Sequence, residues 1–522
     1  MYELSWALRS KSEWQRKASD AQILSRWRTE ALEQQKPLPR DERLSEKMVD
    51  YVLAELTGYA RIADDERGIE RGCFDAIWYS DRLIPGDLAE RLKSAAAALE
   101  AVPENEKDWH PGSRGQVLDL VHPSLYCIVY GRTRAYLPDA PRIPENLLLV
   151  PALITDEEWE EWAVSQEFCW MPSDFAVRAD GSVELVSPYI NNLHPSKHQP
   201  LYRVIEEVLR GFIPMFERVL GEIDKEKLVA LNESGRMDAI DCIWPNCERP
   251  DEDLQEELGL GDAGWIEYCD SLKSLPDAST YAGELENVLS PISLRGRTVQ
   301  CIIKLANIHL TPEQPKYAGG SWHVEGMLNE NIVASGIYYY DEENITESRL
   351  AFRVPTEEPK YHEQDDHECM STLYGIDRDD DCVQEIGSMV TKAGRALSWP
   401  NLFQHRVSSF ELADATRAGH RKILAIFLVD PTADPIASAT DIPPQQAEWA
   451  ADALQDSLSD PQSRVSHLPQ ELADSIKERL SPNMMTRAEA EAYRLRLMKE
   501  RTAFVSTHTE TTYSLKFNMC EH

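Results

Sequence analysis

The run Gly319-Gly320-Ser321-Trp322-His323-Val324-Glu325 lies between two apolar segments of β type, Val299–Leu305 before it and Ile332–Tyr340 after it. In an extended chain, residues i and i+2 project to one face. A strand through this run therefore puts His323 and Glu325 together and turns Val324 away. On a helix two ligands would stand three or four residues apart, and the zinc-protease pattern H-E-x-x-H is absent. Working outward, Arg395–Trp399 reads as a short strand, Pro400-Asn401 as a turn, and Gln404-His405-Arg406-Val407 as renewed extended chain. Gly419-His420-Arg421-Lys422 then opens a strongly apolar run, Arg421–Val429, closed by Asp430-Pro431. Two imidazoles and one carboxylate suit a mononuclear Fe(II) site with positions left open for a chelating cosubstrate and O₂. An arginine opening a buried strand suits the far carboxylate of a 2-oxo diacid, which it can hold with two parallel N–H bonds.

The triplet H-x-[DE] carries little information by itself. Composition alone yields about two copies by chance, and the chain has two, His323-Val-Glu325 and His508-Thr-Glu510. Only the first has flanking β-type runs and a downstream His and Arg. The competing reading is a satisfied core histidine beside an unrelated surface glutamate.

Composition narrows the function classes. With 54 basic against 90 acidic residues the net charge is −36. Such a chain repels polyanions, so no nucleic-acid partner and no anionic membrane surface is expected. The acidity itself reads as solubility, with Asp377–Asp381 as solvated loop. The 522 residues, 42% hydrophobic and with 13 Trp, are enough for roughly two to four domains' worth of core. Ten scattered cysteines without a CxxC fit a reducing compartment, and Cys242–Cys247 lacks a matching pair for zinc. The stretch at Met1–Lys11 has no basic-then-apolar leader, and no segment reaches the ~18 apolar residues of a membrane helix. The expectation is a cytoplasmic protein.

Texture divides the chain into a helical region (1–150), a mixed region (151–295), a strand-dense core (296–432) and a helical extension (433–522). Helices are expected over Glu42–Ala60 and Asp87–Val102, from the capping box Thr155–Glu158 and over Asp251–Gly261. Leu201–Ile223 is amphipathic, with Pro214 expected to kink or split it. Phe175–Arg178 and Ser182–Ser187 flank Ala179-Asp-Gly181 as a hairpin. Residues 342–385 read as a long polar insert. Asp441 caps a helix over Pro443–Leu458, and Thr486–Glu489 forms a capping box for another.

The phrases GGSWHVEGMLNENIVASGIYYYDEENITES, GRALSWPNLFQHRV, GHRKILAIFLVDP and IPPQQAEWA resemble a large, mostly fungal family catalogued as a domain of unknown function. FDAIWYSDRLIP, HPSLYCIVYGRT and SPYINNLHPSKHQPLY extend the likeness to roughly residues 70–450. By motif pattern that family is similar to the Fe(II)/2-oxoglutarate oxygenases. The resemblance implies an α+β fold with a double-stranded β-helix core, of jelly-roll or cupin type. It implies His323, Glu325 and His405 as metal ligands and Arg421 as the 2-oxoglutarate anchor. Glu325 stands where most of the wider superfamily has Asp, and a carboxylate there argues against a halogenase. The implied activity is a dioxygenase that hydroxylates a small-molecule substrate, releasing succinate and CO₂.

Other residues are weighed around this frame. Of Tyr338, Tyr339 and Tyr340, Tyr338 is the candidate for contact with 2-oxoglutarate, against plain core packing. Lys304 is the candidate to assist the carboxylate clamp. Trp322 and Trp399 either wall the pocket or fill the core. Asn191–Pro195 is a polar knot that reaches the site from the N-terminal half or else serves a turn. Arg417 competes with Arg421 but lies in a loop, and His420 reads as a neighbour of the clamp or as surface. A non-heme enzyme that does not use 2-oxoglutarate, and a scaffold with a vestigial site, both remain open. The substrate and the oligomeric state are not readable.

Overall fold

The computed structural model describes residues 1–38, 43–137, 140–151, 161–223, 292–359, 367–480 and 484–518, with a few positions between 264 and 285. The helices are α1 (Tyr2–Arg9), α2 (Trp14–Ala18), α3 (Ala21–Gln34), α4 (Glu46–Ile62), α5 (Gly86–Glu100), α6 (Gln199–Glu222), α7 (His367–Tyr374), α8 (Ala447–Ser459), α9 (Gln470–Leu480) and α10 (Arg487–Thr512). The first nine strands are β1 (Glu70–Arg71), β2 (Trp78–Ser80), β3 (Val117–Val121), β4 (Ile128–Val129), β5 (Arg134–Tyr136), β6 (Leu147–Leu149), β7 (Phe168–Cys169), β8 (Ser173–Val177) and β9 (Val183–Leu185). The others are β10 (Thr298–Leu310), β11 (Lys316–Tyr317), β12 (Ile332–Glu343), β13 (Ser348–Pro355), β14 (Val383–Thr391), β15 (Ala396–Pro400), β16 (Gln404–Val407), β17 (Phe410–Glu411) and β18 (Gly419–Val429).

The fold mixes helices with antiparallel sheets. The main sheet runs β1-β2-β15-β12-β18-β10-β8-β9, and β3 adds to β10. A smaller sheet runs β14-β13-β16. β18 is apolar on both faces because both are covered. Leu424, Ile426 and Leu428 pack with Phe212 and Phe216 of α6. On the opposite face Ile423 joins Tyr339, Leu397 and Trp399 of the main sheet with Leu350, Phe352 and Met389 of the smaller one. The two sheets therefore enclose a core between them, and helices cover the outside of the larger. Burying each such large side chain stabilises by about 1.5–3 kcal/mol, and apolar residues fill these positions. Arg421 is the exception on the inner face.

Several sequence expectations change. Residues 342–385 are not one insert. Leu350, Phe352 and Val354 alternate with Arg349, Ala351 and Arg353 to make β13, the strand that pairs with the His405 strand. Acidic neighbours on both sides hid that alternation. Pro214 does not split α6, which runs unbroken from Gln199 to Glu222. The buried stripe Leu209, Phe212, Ile213, Met215 and Phe216 offsets the ~3 kcal/mol that an interior proline costs. Gln446, not Asp441, precedes α8, because the Gln445 amide is tied to the carbonyls of Tyr126 and Cys127 and holds that segment extended. The β8–β9 hairpin and the Thr486 cap form as expected. Thr155–Glu158, Asp251–Gly261 and Cys242–Cys247 lie outside the described residues. Among the described residues no helix is long and apolar enough to cross a membrane.

Candidate metal centre

His405 enters the core on β16, opposite Phe352 of β13. Its ring packs edge-on to Trp399 at 4.9 Å between centroids. His323 and Glu325 are not on a continuous strand. His323 makes a single antiparallel bridge to His405, and Glu325 lies in the bend that follows. Gly319 and Gly326, both at positive φ (92° and 72°), interrupt the extended chain there. At Gly319 a Cβ would meet the Val407 carbonyl oxygen at 2.7 Å. Only glycine lets this loop cross so close to β16.

The three side chains converge. Glu325 Oε1 is 3.5 Å from His405 Nε2 and 3.8 Å from His323 Nε2. One ligand atom from each residue can be chosen so that all lie within 4.8 Å of one another. His323 Nδ1 is 2.8 Å from the Ser321 carbonyl. A carbonyl only accepts, so the proton is on Nδ1 and the Nε2 lone pair faces inward, as a metal ligand requires. Burial, reinforced by the neighbouring His405, pushes His323 down to about 4. Burial alone would raise Glu325, but contact with His405 and the charges of His323 and Lys304 outweigh it and hold the carboxyl at about 2. His323 and Glu325 thus stand in the protonation states that bind a divalent cation.

Asn401, at what the sequence shows only as a Pro-Asn turn, brackets Glu325. Its Oδ1 accepts from the Glu325 N–H at 2.8 Å, and its Nδ2 donates to the Glu325 carbonyl at 2.8 Å. A cavity of about 650 Å³ opens beside Glu325, walled by Trp162, Val324, Met327, Leu402 and Phe504.

Arg421 is 2% exposed and lies on the inner face. Its Nη1 donates to Ser348 Oγ at 2.9 Å, Nη2 reaches Glu342 at only 3.4 Å, and Nε has no partner among the described residues. Phe410 and Tyr339 flank the guanidinium. Ser348 was not singled out in the sequence, because β13 was not recognised.

Two candidates are corrected. Tyr338 faces the helical layer, in the cluster with α5 and α6, and cannot meet Arg421. Tyr339 is the tyrosine of the inner face. Alternation told the faces apart without saying which was which. Lys304 pairs with Ala425, whereas Arg421 pairs with Ile308. That is four residues along the strand, about 13 Å. Lys304 acts electrostatically on His323 and Glu325, and it stands away from the clamp. Arg417 is an exposed partner of Glu343, and His420 pairs with Asp341. Trp322 lies beside Arg353 and Arg406. Asn191 and Asn192 hold the carbonyls of His122, Leu125 and Tyr126, so the polar knot serves that turn.

A second grouping, His110, Asp119 and His122, is equally compact but differs in its protons. His122 Nδ1 accepts from the Ser124 N–H, which puts the ring proton on Nε2, and His110 Nδ1 lies 2.7 Å from Asp119. The Nδ1 lone pair of His122 is thus engaged by the main chain, and His110 by the Asp119 carboxylate.

The family model described as protein of unknown function (DUF4246) matches residues 46–453. The chain belongs to that family. No curated protein matches the sequence. Among solved structures, a dioxygenase titled Fe(II)/(alpha)ketoglutarate-dependent dioxygenase TqaL is 7% identical, at a TM-score of 0.26, covering 68% of this chain and 80% of that one. IDO from Bacillus thuringiensis is 10% identical, at a TM-score of 0.17, covering 28% and 51%. AviO1 from Streptomyces viridochromogenes Tue57 is 15% identical, at a TM-score of 0.15, covering 26% and 53%. Likenesses this distant carry no argument about the chain.

Proposed function

We propose that this member of the DUF4246 family is an Fe(II)/2-oxoglutarate-dependent dioxygenase built on a double-stranded β-helix core, the two facing sheets being its halves. The observation that carries the reading is the inward convergence of His323 Nε2, Glu325 Oε1 and His405 Nε2, with a buried arginine on the same inner face whose Nε is unpartnered among the described residues. The donor set fits Fe(II), and the under-satisfied guanidinium fits a carboxylate. When bound, iron and 2-oxoglutarate supply the oxidation of a C–H bond by O₂.

The chain's own residues position the reactants. His323, Glu325 and His405 would hold the ion, and Arg421 with Ser348 Oγ would hold the far carboxylate of the cosubstrate. Trp399 fixes the His405 ring. The apolar walls of the cavity beside Glu325 bind the substrate and exclude water. Hydroxylation of a small molecule, with release of succinate and CO₂, is the proposed outcome. Anaerobic Fe(II) titration followed by succinate release on admitting O₂ and a metabolite extract tests it. One tight Fe(II) equivalent and 2-oxoglutarate-dependent succinate are expected. No Fe(II) binding would leave a scaffold. A second reading, a non-heme enzyme that does not use 2-oxoglutarate, is favoured by the contacts Arg421 already makes to Ser348 and Glu342. It predicts O₂ consumption without succinate.

A further inference from the structure

The cavity beside Glu325 is apolar along most of its wall, and a charged side chain stands against one of its lining rings. Trp162, Phe504 and His508 stack in a row, with ring centroids 5.8 and 5.5 Å apart. Tyr513 and Pro355 close another side. Beyond Tyr513 stands Arg353, two residues before Pro355 on β13, its guanidinium 4.9 Å from the Tyr513 ring centre. The same guanidinium lies 4.8 Å from the ring of Trp322, and that of Arg406 lies 4.5 Å from it. Two cations thus share one indole, next to His323.

Neither forms an ion pair among the described residues, although Glu385 and Asp381 lie near enough to Arg353 to act on its charge. Arg353 donates twice to Gln404 Oε1, at 2.8 and 2.6 Å, and to no carboxylate among the described residues. Arg406 is exposed and forms no ion pair among the described residues. The chain has 90 acidic against 54 basic residues, and its other surface arginines commonly pair: Arg28, Arg91 and Arg417 all do. Like charges held together raise the energy of the free protein, Arg406 acting against the charge of Arg353, and a bound anion relieves this. Tyr513, which touches Arg353, lines the same cavity as Glu325, so an anion at Arg353 would lie next to that cavity.

Resting on the dioxygenase reading, we propose that the substrate is a monoanionic carboxylic acid with an apolar body. Arg353 and Arg406 bind its carboxylate, and its chain or ring enters the cavity toward Glu325. Volume agrees: about 650 Å³ lies within the ~300–1,000 Å³ of small-molecule sites. Trp322 keeps the two guanidinium planes in place, and Tyr513 joins rim to cavity.

The test uses the full-length protein without added iron or 2-oxoglutarate, so that binding is read apart from catalysis. Decanoate and 2-naphthoate are titrated by calorimetry at pH 7.5, against decan-1-ol and 2-naphthol as neutral counterparts. The acids are expected to bind about tenfold or more tightly than the alcohols, with an advantage that shrinks at high salt. Arg406→Glu, at an exposed position, and Arg353→Gln should each remove most of that advantage. Repeating the titration in Arg421→Ala separates the rim from the cosubstrate clamp, and there the advantage should persist. Alcohols binding as tightly as acids, an advantage that survives both rim substitutions, or no binding by any probe would overturn the proposal. Acid binding with this pattern in a protein that never releases succinate would instead count against the dioxygenase reading alone.

Discussion

His323 and His405 hold each other through their main chains. The His323 N–H donates to the His405 carbonyl at 3.2 Å and the His405 N–H to that of His323 at 2.9 Å, which leaves the rings 4.3 Å apart. Far-separated parts of the sequence are thereby locked in register at the one point where their side chains must meet. The backbone alone thus brings the two rings together.

The bridge depends on Gly319. Its φ is 92°, and a Cβ would press on the Val407 oxygen at 2.7 Å. Gly319→Ala should therefore cost the left-handed conformation, about 1–2 kcal/mol, plus displacement of β16. Gly112→Ala, at φ 82° with nothing within 4 Å, should cost only the first part. Chemical denaturation of both variants measures the difference, and Fe(II) affinity should fall only for Gly319→Ala. Equal effects would mean that the close approach does not matter.

What the sequence revealed followed from pattern strength. β18 is legible because both of its faces are covered and its residues run apolar without a break from Ile423 to Val429. The pairing of His323 with Glu325 came from an assumed strand. The structure brings these side chains together through a bridge and a bend instead, since Gly319 and Gly326 break the extended run. β13 was hidden because Arg349 and Arg353 interleave its apolar residues and acidic segments flank it. Tyr338 and Tyr339 show the limit of periodicity: only the packing of α6 on one face decides which of two alternating tyrosines turns inward. Asn401 was invisible because its role is to grip another residue's backbone.

That grip is testable. Asn401→Ala removes both hydrogen bonds to the Glu325 main chain, while all three candidate ligands remain. The carboxylate should lose its fixed position, weakening Fe(II) binding about 10–100-fold. The melting temperature should fall only modestly, because net hydrogen bonds contribute about 1 kcal/mol each. Asn401→Asp should restore the acceptor to the Glu325 N–H but not the donor, and so recover part of the affinity. Unchanged metal affinity in Asn401→Ala would remove it from the positioning role.

Acid should weaken the metal-free protein in two steps. His323 is held at about 4 by burial, below the ~6.5 of a free imidazole. The unfolded chain therefore takes up a proton first, and this contribution is present above pH ~6.5 and lost as pH falls through about 4. Glu325, held at about 2 against an ordinary ~4.3, adds stability that is lost only below that range. With chelator present, the melting temperature of His323→Gln should fall less than that of the wild type between pH 7.5 and 5. Glu325→Gln should not flatten that interval. A wild-type slope in His323→Gln would show that this imidazole does not stay neutral in the folded protein.

The cosubstrate assignment rests on Arg421. Its guanidinium is buried, donates one good bond to Ser348 and one long contact to Glu342, and leaves Nε unpartnered among the described residues. If it clamps 2-oxoglutarate, Arg421→Ala strands a buried carboxylate. By analogy with truncated charge pairs at interfaces, the cost is about 2–5 kcal/mol, or roughly thirtyfold and more in the 2-oxoglutarate requirement. Fe(II) affinity, measured anaerobically without cosubstrate, should hold. Arg421→Lys should recover only part of the loss, because an ammonium cannot reproduce the planar fork. Ser348→Ala should raise the requirement modestly, through the lost hydroxyl that orients Nη1. Arg417→Ala is the control: that side chain is exposed and paired to Glu343, so its removal should change little. Sensitivity at Arg417 instead would move the clamp to the loop before β18. Insensitivity at both, with O₂ still consumed, would bring forward the enzyme that needs no 2-oxoglutarate, with Arg421 serving to tie β18 to Ser348 of β13 and to Glu342 of β12.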